Sequence, residues 1–368
     1  MDDQARASSG LEPVYRRGLR GSARGRRWPV RRGERDRHGG IGTTYAALDL
    51  GTNNCRLLVA RPTRDGFQVI DAFSRIIRLG EGVSSSGRLG EAAMDRALVA
   101  LAICRDKMRQ RGVTRARLIA TEACRAAANG ETFLGRVREE VGLELEIIDR
   151  GTEAHLAAGG CTPLLDPDGD GAILFDIGGG SSELVRLEQS APGNFGPPVP
   201  KIRGWVSLPL GVVTLAERHG GVRVDRALYE AMVGEVARHV SPFAAAHGAD
   251  VRRDTVHMLG TSGTVTTIAG VHLGLPRYER RRVDGCWMTD GEISRVVERL
   301  LAMSYEERVA NPCIGAERAD LVLAGCAILE AIRRALPCAR LRVADRGLRE
   351  GMLVELMRQD GAWARGWA

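Results

Sequence analysis

Apolar residues in this chain recur with two different periods, and the switch between them marks out the elements. Residues 45–50 and 56–60 are short, nearly continuous apolar runs joined by Gly51-Thr52-Asn53-Asn54, and 67–79 continues the pattern; together they predict a three-stranded hairpin meander. Over 91–111, Ala93, Ala97, Leu98, Leu101 and Met108 fall at helical spacing. Residues 117–121 read as a short buried strand, 132–141 as a helix, and 145–148 as a strand running into Asp149-Arg150-Gly151-Thr152-Glu153. Gly151 or Thr152 caps the helix expected next, which puts Glu153 in a first turn, where the helix dipole favours its charge.

The same outline then repeats. A strand over 172–176 ends on Asp176, a glycine turn follows, and 183–187 is a second strand. Residues 189–204 form a Pro/Gly-rich connection expected to be exposed, 206–208 a strand, 212–218 and 226–240 helices, and 256–259 a buried strand. A last strand at 342–343 precedes a closing helix. Strands alternating with helices, twice over, predict an α/β protein of two similar domains, mixed sheets flanked by helices, with a cleft between them. The stretch Asp166-Pro167-Asp168-Gly169-Asp170-Gly171 imitates the start of an EF-hand loop, but Ile177 stands where a bidentate Glu is required, so it reads as a polar turn.

Composition narrows what such a fold is for. With 44% hydrophobic and 27% charged residues over 368 positions, the chain has material for two domains of ordinary size. No apolar stretch approaches the roughly 20 residues that cross a bilayer, and the N-terminus lacks the apolar core of a secretory signal, so a cytoplasmic protein without membrane contact is expected. Eight scattered cysteines, with no C-x-x-C pair, predict reduced and mostly buried thiols. The net charge of +7 invites a nucleic-acid partner, yet residues 1–40 hold 11 arginines against 5 acids and so carry nearly all of it. Residues 1–43, rich in Gly, Arg and Ser and without periodicity, read as a disordered leader; domains over 44–156 and 157–360 and a tail over 361–368 follow. No specific nucleic-acid partner is expected, and a homodimer stays open.

The chemistry is carried by two turns. Gly51-Thr52-Asn53-Asn54 and Gly178-Gly179-Gly180-Ser181-Ser182 each follow a strand that ends on an aspartate, Asp49 and Asp176. A turn of this kind offers consecutive backbone N–H groups with no side chain in the way, a concave nest for phosphate oxygens. Two such turns facing each other can grip one phosphate from two sides, while the aspartates meet the cation a phosphate brings.

Taken together, Ala-Leu-Asp-Leu-Gly-Thr-Asn (47–53), Asp-Ile-Gly-Gly-Gly-Ser-Ser-Glu (176–183), Leu-Gly-Thr-Ser-Gly-Thr (259–264) and Gly-Leu-Arg-Glu-Gly (347–351) resemble the Ppx/GppA family of exopolyphosphatases and guanosine pentaphosphate phosphatases. The resemblance spans roughly residues 44–358 and implies two actin-like, ribonuclease H-like domains of the sugar kinase, Hsp70 and actin superfamily, with the active site in the interdomain cleft. It implies a catalytic glutamate at Glu153, an arginine on the transferring phosphate at Arg125, and a nucleotide-like motif at Gly260, Thr261, Ser262, Gly263 and Thr264. Asp176 and Glu183, with Asp49 in the matching part, are implied to hold or orient Mg²⁺ and the attacking water. Asn54 departs from the serine usual at its position, so its side-chain contribution is open.

Elementary chemistry asks for the same groups. Anhydride hydrolysis needs a base within about 2.6–3.2 Å of an in-line water, and Mg²⁺ is content with one or two carboxylates plus phosphate oxygens and waters. The expected activity is hydrolysis of the terminal phosphoanhydride of linear polyphosphate; removal of the 5′ γ-phosphate of guanosine pentaphosphate (pppGpp) is the alternative, needing the same groups. A kinase of the superfamily leaves Glu153 unexplained, and a non-catalytic alarmone sensor predicts binding without turnover. Longer relatives carry an added C-terminal helical region of the HD type, and no His-Asp pair of that kind follows Gly351. The basic run 277–282 either extends a polyanion track or is a solvated loop.

Overall fold

The structure, a computed structural model, describes residues 26–27, 43–189, 196–251 and 254–364. The disorder expected of the leader falls outside these residues, except that Arg26–Arg27 pair with Arg115 and Ala116.

Two sheets of six strands carry the molecule. The first holds β1 (Arg26–Arg27), β2 (Tyr45–Leu50), β3 (Asn54–Thr63), β4 (Gly66–Ile76) and β5 (Arg115–Ala120) in the order β1-β5-β2-β3-β4, with β6 (Glu146–Ile147) on the far end of β5. The second holds β7 (Gly171–Ile177), β8 (Ser182–Glu188), β9 (Lys201–Leu208), β10 (Val256–Thr261), β11 (Trp287–Thr289) and β12 (Arg340–Ala344) in the order β11-β12-β10-β7-β8-β9. Each sheet pairs an antiparallel meander, β2-β3-β4 or β7-β8-β9, with a parallel neighbour, β5 or β10. The central strands are buried on both faces, which is why they read as continuous apolar runs rather than alternating ones.

The helices are α1 (Val83–Ser86), α2 (Glu91–Gln110), α3 (Glu122–Ala126), α4 (Gly130–Val141), α5 (Arg150–Cys161), α6 (Val212–His219), α7 (Arg226–His247), α8 (Gly263–His272), α9 (Arg280–Val283), α10 (Asp290–Ala302), α11 (Tyr305–Ala310), α12 (Val322–Ala335) and α13 (Leu348–Gln359). Alternation along the strands decides what each covers. Ala46, Leu48 and Leu50 of β2 pack with Met94, Leu98 and Leu101 of α2 and Phe133 of α4, whereas Tyr45 and Ala47 pack with Leu156 of α5 and with Met352 and Leu353 of α13. In the second sheet, Ile173, Phe175 and Ile177 face α7, α8 and α12, whereas Ala172 and Leu174 face Ala154 and Ala158 of α5. Helix α5 therefore lies between the two sheets and packs on both. Helix α13, late in the sequence, returns to the first sheet.

The expected architecture, two actin-like α/β domains with helices flanking mixed sheets, is the one observed. Two local expectations are corrected. The cap of α5 is Asp149, whose carboxylate accepts from Thr152 N and Thr152 Oγ1, both at 2.8 Å, because a carboxylate reaches the open N–H groups of the first turn better than Gly151 can. Part of the presumed loop 189–204 is strand: β9 starts at Lys201 and pairs with β8 through Ile202 and Leu187. Residues 190–195 of it lie outside the described residues.

Candidate active site

The two glycine turns are copies of one hairpin. Gly51 N donates to Asn54 O at 2.9 Å and Gly178 N to Ser181 O at 3.0 Å, and the registers pair Asp49 with Arg56 and Asp176 with Glu183. Strand parity then aims all four side chains. Asp49 shares a face with Ala47, Arg56 with Leu58, Asp176 with Leu174 and Glu183 with Val185, and each of these faces is the one that α5 covers. Glu153, in the first turn of α5, meets them there.

The turns face each other across a cavity of about 120 Å³ lined by Asp49, Thr52, Glu153, Asp176, Gly179 and Glu183 among others. They are in contact: a Cβ added at Gly179 would stand 2.9 Å from Thr52 Cβ, and one at Gly180 would stand 2.9 Å from Thr52 Oγ1. Only glycine permits that approach. Val212 N and Val213 N at the start of α6 donate to Gly178 O and Gly179 O, both at 2.9 Å, which ties the carbonyl edge of the second turn to the helix. Gly51, Asn53, Asn54 and Ser181 line the same cavity.

Four carboxylates crowd one buried space, and their proton affinities show it. Burial, reinforced by Glu183, pushes Glu153 well above the usual carboxylate range against the pull of Arg125. Burial also raises Asp49, lifts Asp176 to about 6 and, together with Asp176, lifts Glu183 to about 7 although Ser181 and Ser207 both donate to its Oε1 at 2.8 Å. Asp49 Oδ1 is buried without a hydrogen-bond partner. Among the described residues no three His, Cys, Asp or Glu side chains assemble a closed metal cage. An orphaned carboxylate oxygen beside a second carboxylate still fits a hard cation that takes most of its ligands from phosphate and water.

Not every expected site residue faces the cavity. Ser182 has the opposite strand parity, lies fully buried with Leu184 and donates to Leu210 O at 2.8 Å. Gly260 is a packing residue, since a Cβ there would stand 2.6 Å from the Phe175 ring. Thr261 donates to Arg346 O at 2.6 Å, while Ser262, Gly263 and Thr264 do line the cavity. Ser262 holds φ at +92°, backbone rarely adopted by an L-residue, and its buried Oγ has no partner. Arg125 does not itself line the cavity but sits behind Glu122 and Glu153, which do. It gives Nε to Glu122 at 3.0 Å, Nη1 to Ile148 O at 2.6 Å, and Nη1 and Nη2 to Glu153, both at 3.2 Å, because two carboxylates compete for it.

Several lining residues escaped the sequence reading. Arg56 is the register partner of Asp49 and could have been found by counting back across the turn. Glu122, Thr267 and Arg318 carried no local signal, Arg318 least of all in a chain with so many arginines. Arg56, Asp176, Ser262 and Arg318 also wall a second cavity of about 540 Å³, where Arg280, Arg346 and Arg349 join them. Of the basic run, Arg280 turns inward to Glu350 at 3.1 Å, while Arg281 and Arg282 are exposed.

The sequence profile of the Ppx/GppA phosphatase family matches residues 58–360. Over 331 residues the chain is 26% identical to "Exopolyphosphatase 2" of Mycobacterium tuberculosis (strain CDC 1551 / Oshkosh), across 85% of this chain and 98% of that one. A Ppx/GppA family member from Aquifex aeolicus is 29% identical with a TM-score of 0.69, covering 86% of this chain and 98% of its own. An exopolyphosphatase structure from Cytophaga hutchinsonii shares the fold at 24% identity and a TM-score of 0.76, covering 87% of this chain and 98% of its own. A match over most of the chain, joined to a cleft of this build, makes it a phosphoanhydride hydrolase: the chain belongs to the Ppx/GppA phosphatase family.

Proposed function

We propose that the protein is an exopolyphosphatase that removes the terminal phosphate of linear polyphosphate, using water activated by Glu153. The observation that carries the reading is the contact between the two glycine turns at the cavity that Glu153, Asp49, Asp176 and Glu183 also line. The small cavity suits the terminal phosphoryl group, held by the amides of both turns. The larger cavity, walled by Arg56, Arg318 and Arg349, suits the anionic remainder of the chain. Glu153 takes the proton of the attacking water, and its raised proton affinity makes it a better base than a solvated carboxylate. Asp49 and Asp176 are the residues proposed to hold Mg²⁺, with Glu183 orienting its water; the ion supplies charge neutralisation for the departing oxygens. A cytoplasmic location is part of the same reading.

Removal of the γ-phosphate of pppGpp uses the same groups, so the test runs both substrates side by side. Purified protein with Mg²⁺ is expected to release orthophosphate faster from long-chain polyphosphate than from pppGpp. Glu153→Gln is expected to bind polyphosphate still and to turn over at least about 100-fold slower. Unchanged turnover in that variant overturns the assignment of the base, and faster release from pppGpp overturns the substrate.

A further inference from the structure

We propose that Glu122 is a positioning residue for this hydrolysis: it aims the Arg125 guanidinium at Glu153, with its own stem covered by the second glycine turn. The proposal rests on the hydrolytic reading above. Glu122 opens α3 just past the end of β5, so the strand next to β2 delivers it to the rim of the cavity that holds Asp49 and Glu153. Its side chain is 12% exposed and Glu153 is 13% exposed, so neither is a solvated surface carboxylate.

The geometry links four charges in a row, Arg150, Glu122, Arg125 and Glu153. Glu122 Oε2 accepts from Arg125 Nε at 3.0 Å and from Arg125 Nη2 at 2.5 Å, while its Oε1 accepts from Arg150 Nη2 at 2.9 Å. With Nη1 on Ile148 O and both Nη groups on Glu153, every nitrogen of Arg125 is engaged. A planar guanidinium anchored along one edge cannot rotate without losing those bonds, so Glu122 fixes the edge that meets Glu153. Removing Glu122 leaves Arg125 one backbone carbonyl and Glu153 alone.

A second contact reaches across the cleft. A Cβ at Gly180 would stand 3.0 Å from Glu122 Cγ, so the second glycine turn packs on the stem of the residue that holds Arg125. The second turn thereby covers the stem of Glu122 at the place where the two turns meet. Arg150 is 43% exposed and adds little to the hold.

A double-mutant cycle on tripolyphosphate hydrolysis, with Mg²⁺, tests the idea using native protein, Glu122→Ala, Arg125→Lys and the double variant. Glu122→Ala is expected to lower kcat at least about tenfold with KM within about threefold. In the Arg125→Lys background the same substitution is expected to cost less than about twofold, because what Glu122 holds is gone. Equal losses in both backgrounds, or a loss confined to KM, overturn the proposal. Side-chain NMR of the Arg125 Nε–H gives a readout that needs no turnover: a signal protected from solvent exchange in native protein and lost in Glu122→Ala is expected, and one equally protected in both overturns it. Absence of hydrolysis by native protein would instead sink the hydrolytic reading, a different result.

Discussion

His257 on β10 is 2% exposed, with its ring edge-on to Trp287 at 5.2 Å and with Arg340 and Arg342 also stacked on that indole. Burial pushes its pKa down to about 4, with Arg342 and Arg340 adding to the fall and Asp166 opposing it. The consequence for stability has a definite sign. Above pH 6.5 the ring is neutral folded and unfolded, so it contributes nothing; as pH falls from 6.5 to about 4 the unfolded chain takes the proton first and stability is lost; below that the loss is constant. The full loss is on the order of 3 kcal/mol. Unfolding midpoints in urea, followed from pH 7 to pH 4, are expected to fall less steeply for His257→Leu than for native protein. Parallel slopes would remove the assignment. At the same scale, local pattern singles out Asp49 and Asp176 near strand ends and puts Glu153 in a first helical turn, while the role of Glu153 as base comes from the family resemblance. Arg125 is named by the family resemblance and not by local pattern, and where its guanidinium points is decided by Glu122 and Glu153 acting from different elements.

Helices α5 and α13 cross where both lack side chains. A Cβ at Gly351 would stand 1.8 Å from Leu156 O, and one at Gly160 would stand 1.9 Å from Gly347 O. These are backbone atoms, so an added methyl group forces the helices apart. Gly351→Ala is expected to cost more than about 2 kcal/mol, read from the urea midpoint. It is also expected to lower turnover, because α5 carries Glu153 and α13 packs on β2, the strand that carries Asp49. Stability within about 0.5 kcal/mol of native would show that the crossing yields easily. Element boundaries were mostly legible, since hydrophobic period and glycine turns act over a few residues. The exception at β9 is instructive: Pro and Gly upstream suggested a loop, and only pairing with β8 makes the segment a strand.

The two halves also meet through polar contacts outside that crossing. Arg78, held at φ +48°, donates to Asp320 through Nη1 at 2.9 Å and Nη2 at 3.0 Å, and Glu217 of α6 accepts from Gly82 N at 2.9 Å and from Ser84 Oγ. The first contact is half-buried and the second exposed, and each contributes at most about 1 kcal/mol, so losing both shifts a closed–open balance by at most about thirtyfold. The double variant Arg78→Gln, Glu217→Gln is expected to show a larger radius of gyration by small-angle scattering and a severalfold higher KM for polyphosphate, with kcat little changed. An unchanged scattering profile would mean the cleft is held by α5 and α13 alone. Periodicity and the duplicated Asp–glycine hairpin were enough to establish two α/β units and the residues offered by each turn, because strand parity, turn geometry and helix starts are set by neighbours in sequence. Tertiary structure alone placed α5 between both sheets, brought Glu122 and Arg318 to the same cavity, packed Ser182 away from it and set Arg125 between Glu122 and Glu153, because those outcomes depend on which distant elements share a face, and no local pattern encodes that.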